Sequence, residues 1–123
     1  MTSRFSVLAI DALDPARVAA FWAEVLGWRV VDEDDDGISI APADGASPTI
    51  DVLHVPERKT VKNRLHLDLR ADGSSTQEEL DRLLGLGATR VDVGQPADVS
   101  WTVLADVEGN EFCLLSRPVQ ALD

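Results

Sequence analysis

The sequence predicts an α+β fold built from two copies of one βαβββ module. Three observations predict it. The order strand, helix, strand, strand, strand is written twice along 123 residues. Corresponding positions keep a near-constant offset: Val7 and His66 are 59 apart, Gly27 and Gly87 are 60 apart. A polar stretch without apolar periodicity, "PERKTVKN", Pro56 to Asn63, separates the two runs. The expected organisation is one domain, with a first module over 1–55, a linker over 56–63 and a second module over 64–123.

Each element has a local cause. "RFSVLAID", residues 4–11, alternates as a strand does. In "DPARVAAFWAEVLG", Asp14 suits an N-cap, Pro15 the first helical position and Gly27 the C-cap. Val18, Phe21, Val25 and Leu26 fall on one face of that helix. "WRVVDED" and "GISIAP" read as strands around an acidic tip, and "SPTIDVLHV" as a fourth strand. The second copy opens with the strand "RLHLDLRA". The helix "SSTQEELDRLLGLG" follows, with Ser75 or Ser74 as N-cap and Glu78 near the capping-box position. "ATRVDVG", "SWTVLAD" and "NEFCLLS" complete it as strands.

A helix must cover one face of each sheet, so the two sheets can join and curl with both helices outside and a cleft on the other side. Alternation then sorts side chains. Leu65, Leu67 and Leu69 are expected toward the helix, with Arg64, His66 and Asp68 toward the cleft. Val7, Ala9, Asp11, Asp51 and Leu53 take the cleft side in the first module. In the last strand, Phe112 and Leu114 are expected in the core, and Glu111, Cys113 and Leu115 toward the cleft.

Composition narrows the function classes. A net charge of −11 repels the phosphates of nucleic acid and anionic membrane surfaces. Five consecutive acids, Asp32 to Asp36, read as a solvated hairpin tip, because a calcium loop needs spaced ligands. A single cysteine forms no internal disulfide and suits a reducing, cytoplasmic setting. No signal-peptide layout or membrane-length apolar run is present in the sequence.

The segments "DPARVAAFWAEVLGWRV", "VPERKTVKNRLHLDLRA", "LLGLGATRV" and "WTVLADVEGNEFCLL" cover nearly the whole chain. In this order and spacing the chain resembles the vicinal oxygen chelate superfamily, in its glyoxalase and bleomycin-resistance group. The resemblance implies paired βαβββ modules in a curved, cup-like sheet, the glyoxalase/bleomycin resistance/dioxygenase fold, around a central small-molecule site. It also implies a homodimer. Metal-dependent members place histidine or glutamate ligands on the first and last strand of each module. Carried over, those positions are Val7, then Asp51 or Leu53, then His66, and Cys113 where the closing glutamate of "GN-x-x-E-L" stands.

Val7 offers no donor atom, so the ligand set is incomplete, and the expectation is a binding protein without a metal or other cofactor, sequestering a drug or metabolite. His66, Cys113 and Asp51 form the alternative set for a divalent metal (zinc, iron, nickel or manganese) in a lyase, isomerase or dioxygenase. A third reading is a metal-free epimerase or cyclase with His66 and Asp68 as acid and base. Ligand contacts are expected at Trp101, Arg64, Cys113, Leu53 and Val7. Trp101 would stack on a flat ligand and Arg64 would anchor an acidic one. Cys113 would act as a nucleophile only with a cation nearby to lower its pKa; otherwise it is a buried, inert thiol.

Overall fold

The computed structural model describes residues 1–122. The chain divides into two compact units after Arg58. The order βαβββ occurs once in each.

The first unit holds β1 (Val7–Ala12), α1 (Pro15–Leu26), β2 (Arg29–Glu33), β3 (Gly37–Ala41) and β4 (Thr49–His54). Its mixed sheet has the order β1-β4-β3-β2, with β1 and β4 parallel. The Asp14 carboxylate accepts the Arg17 N–H at 3.2 Å, which starts α1 as the sequence suggests. Val18, Phe21, Trp22 and Val25 are buried on one face of α1, with Ile40, Ile50 and Val52 from the sheet also buried. The acidic tip is exposed, and Asp34 organises it: its Oδ1 accepts from the backbone N–H of Asp36 and Gly37. Gly37 sits so close to β4 that a Cβ there would lie 2.2 Å from the Val52 carbonyl oxygen.

The second unit holds β5 (Asp68–Leu69), α2 (Thr76–Leu86), β6 (Thr89–Arg90), β7 (Thr102–Ala105) and β8 (Glu111–Leu114). Its sheet has the order β5-β8-β7-β6, the same connection pattern as the first. Ser75 and Glu78 form the reciprocal capping box at the start of α2. Gly85 lies inside α2, and Gly87 is its C-cap. Leu83, Leu104, Phe112 and Leu114 are fully buried.

Several strands are shorter than their sequence patterns. β5 is two residues long rather than the eight of "RLHLDLRA", and Leu65, expected against the helix, is 84% exposed. The cause lies in the partner strand. Extending the Asp68↔Cys113 register puts Leu65 opposite Asn110. Asn110 is committed to a turn: its backbone and side-chain N–H groups donate to the two Asp106 carboxylate oxygens at 3.0 and 2.9 Å. Similarly, "ATRVDVG" forms a strand only at Thr89–Arg90. Its second half folds into a loop, in which Asp92 Oδ1 accepts the Gly94 N–H and Gln95 Oε1 accepts the Val93 N–H, each at 2.8 Å. The first strand begins at Val7 rather than at Arg4.

Candidate functional site

Residues 106–114 place the site's last strand. Asp106 is nearly fully buried, and its Oδ1 also accepts the Glu108 N–H at 2.9 Å. Gly109 takes φ +90°, a conformation that glycine adopts without a Cβ penalty. The turn thus ends squarely at Glu111, and alternation does the rest: Phe112 and Leu114 go into the core, while Cys113 borders a cavity.

That cavity has a volume of about 410 Å³ and is lined by residues of the second unit alone. Its apolar walls come from Val93, Trp101, Val103, Phe112 and Leu115. Trp101, expected at the ligand, is 41% exposed and forms part of the wall. His66, Asp68 and Cys113 supply a polar cluster. Asp68 and Cys113 are register partners in parallel β5 and β8. His66 stands two residues before Asp68, and its Nε2 lies 3.2 Å from Asp68 Oδ1. One donor atom from each of the three can be chosen so that all lie within 4.8 Å of one another.

The electrostatics of the cluster favour the neutral thiol. Burial pushes the Cys113 pKa up, and the Asp68 charge and a hydrogen bond to Asp68 push it further, against a smaller opposing pull from Lys62. Cys113 is therefore no activated nucleophile, because the cation that would have to stabilise its thiolate is outweighed.

The stretch expected to be a linker contributes directly. Lys59 Nζ contacts Glu111 Oε1 at 2.8 Å and Oε2 at 2.9 Å. The Asn63 backbone N–H donates to Glu111 Oε1 at 2.9 Å. Burial pushes the Glu111 pKa up, but the hydrogen bonds from Lys59 and from the backbone, with the Lys59 charge, prevail and lower it. Residues 59–63 are thus a strap pinned at both ends to the first residue of β8, and Lys62, between the pins, lines the cavity.

Not every expected site residue meets there. Arg64 is exposed and is absent from the cavity lining, where Lys62 stands instead. Val7, Asp51 and Leu53 belong to the first unit. Val7 and Leu53 are exposed on the β1–β4 pair, and Asp51 Oδ1 accepts a hydrogen bond from Ser39 Oγ at 2.7 Å. The third donor beside His66 and Cys113 is therefore Asp68, whereas the sequence pointed to Asp51. His54 is exposed at the end of β4. Parity in the basic run favoured Arg64 over Lys62, and Val93 and Gln95 were missed, their only signal being the turn-forming run "DVGQPAD".

The family model described as glyoxalase-like domain matches residues 7–115. No curated protein matches the chain in sequence. Among solved structures, the fosfomycin resistance protein FosX from Mesorhizobium loti aligns at TM-score 0.70 and 15% identity, over 98% of this chain and 97% of that one. A FosX variant from Listeria monocytogenes, in complex with Mn(II) and 1S,2S-dihydroxypropylphosphonic acid, aligns at TM-score 0.70 and 14% identity, over 98% and 97%. A glyoxalase/bleomycin resistance protein/dioxygenase family enzyme from Burkholderia phytofirmans PsJN aligns at 0.60 and 20% identity, over 91% and 97%. At these identities the likeness is one of fold.

Proposed function

Because the chain belongs to the glyoxalase-like domain family of the vicinal oxygen chelate superfamily, we propose that it binds a small organic molecule in the cavity of its second unit, without a resident metal. One observation carries this reading: a cavity of about 410 Å³ with mainly apolar walls and one compact polar cluster, the usual make-up of a small-molecule site. Trp101 offers a stacking surface. His66 and Asp68 offer hydrogen bonds that orient the ligand, and the neutral Cys113 thiol packs against it. Sequestration of a drug or metabolite, by a homodimer in the cytoplasm, completes the proposal. A thermal-shift screen of drug and metabolite libraries tests it, with hits confirmed by calorimetry on wild type and Trp101→Ala. Hits that lose affinity in Trp101→Ala support cavity binding. Hits that bind both proteins equally would place the ligand elsewhere.

The cluster geometry favours a second reading. His66, Asp68 and Cys113 offer nitrogen, oxygen and sulfur donors within 4.8 Å, a set that suits zinc-like divalent cations in kind. Cys113 must release its proton to ligate, and its raised pKa makes that release costly near neutrality. A bound metal would supply Lewis acidity toward a substrate oxygen. Metal analysis of protein purified without chelator decides the matter. About one equivalent, lost in both His66→Ala and Cys113→Ala, would replace the metal-free reading.

The 3.2 Å contact between His66 and Asp68 supports a third reading, in which imidazole and carboxylate act as a proton-transfer pair in an epimerase or cyclase. Turnover lost in His66→Ala and Asp68→Asn, with ligand affinity kept, separates catalysis from binding.

A further inference from the structure

The polar groups of the cavity are unevenly committed. Glu111 uses both carboxylate oxygens on Lys59 and the Asn63 N–H. Asp68 faces His66 and lies beside Cys113, its register partner. Gln95 spends its side chain on its own loop, accepting from the Val93 N–H and donating to the Val91 carbonyl. Lys62 differs. It is the single lysine or arginine among the lining residues. Its recorded hydrogen bond goes to the Asn63 carbonyl oxygen at 3.3 Å, and among the described residues it has no carboxylate partner.

The backbone that carries Lys62 is also held in place. The strap is fastened on either side of it, by the Lys59 side chain and by the Asn63 backbone. This ammonium, which has no carboxylate partner among the described residues, shares the cavity with the partly exposed indole of Trp101 and the apolar Val93, Val103 and Leu115. An ammonium favours an anionic oxygen, and an indole favours a flat ring.

From these placements we infer that the cavity selects a planar aromatic molecule bearing an anionic oxygen group, a carboxylate or phenolate, with the ring on Trp101 and the anion on Lys62. The inference rests on the small-molecule reading above and names its ligand class. Lys62 is the specificity-determining residue, and the Glu111 strap is what presents it.

Four probes test this by calorimetry at fixed ionic strength: 2-naphthoate, 2-naphthamide, 2-naphthylmethylammonium and cyclohexanecarboxylate. The naphthoate should bind about tenfold tighter than the amide, the scale of one charge-assisted contact. Lys62→Met should erase that preference, and Lys62→Arg should keep it. Trp101→Leu should weaken both the naphthoate and the amide by about tenfold while leaving cyclohexanecarboxylate nearly unchanged. Equal or tighter binding of the amide or the ammonium probe would overturn the ligand class while leaving small-molecule binding intact. So would a naphthoate preference that survives Lys62→Met. Failure of every probe to bind folded protein would overturn the ligand class, and the library screen above tests small-molecule binding separately.

Discussion

Asp68 and Cys113 are register partners across the parallel β5–β8 pair, and the Asp68 carboxylate helps hold the thiol pKa up. The turn sets the register, and the register puts the thiol beside the carboxylate.

In the metal-free protein, Asp68→Asn should make Cys113 more reactive. Burial remains and still raises the thiol pKa, but the negative charge is gone. The pH midpoint of iodoacetamide alkylation should therefore fall. Lys62→Met should move it the other way, since Lys62 pulls the pKa down. An unchanged midpoint in Asp68→Asn would mean that the carboxylate has no part in setting it.

The Glu111 strap should make stability depend on acid. Its folded pKa is lowered, so its contribution is fully present above the ordinary carboxylate range and is lost as pH falls through the folded value. Wild type should exceed Glu111→Gln by about 1 kcal/mol near neutrality. The gap should close in acid. Denaturant titrations at several pH values check this, and a gap independent of pH would point to packing instead.

Gly37→Ala should destabilise the first unit. Its Cβ would meet the Val52 carbonyl oxygen, a backbone atom that moves only with β4. A cost of roughly 1–3 kcal/mol is the scale of forced overpacking. A urea midpoint equal to wild type would show that β3 can shift at no cost.

Phe112→Ala should cost about 3–5 kcal/mol, as for other large buried side chains. Phe112 is 1% exposed and immediately precedes Cys113 in β8. Chemical denaturation measures the loss. A cost below about 1 kcal/mol would mean that the site refills the space.

Much of this was legible in the sequence because it depends on short-range rules. Asp14, Pro15, Ser75 and Glu78 mark their helix starts by local hydrogen bonding. Alternation placed Glu111, Cys113 and Leu115 on the cavity side of β8. What escaped depends on partners distant in sequence. Leu65 has the parity of a core residue, but its strand ends early because Asn110 is occupied by Asp106. Lys59 and Lys62 read as a solvated linker because the Glu111 carboxylate that organises them is about fifty residues away. Arg64 had the right parity for a strand that does not extend that far, so the positive charge at the cavity comes from Lys62.

The two parallel ladders differ greatly in length. β1 pairs with β4 over six residue pairs, whereas β5 pairs with β8 over two. The copy that carries the cavity is therefore the less firmly zipped one. Few backbone hydrogen bonds, chiefly those linking Leu67 to Cys113 and Leu69 to Leu115, need to break for β5 to part from β8. Amide hydrogen exchange should show this as two tiers of protection, with the amides of Cys113 and Leu115 exchanging well before those of β4. His66 and Asp68 would ride on the segment that opens. Parting that end of the cavity would cost far less free energy than unfolding the chain.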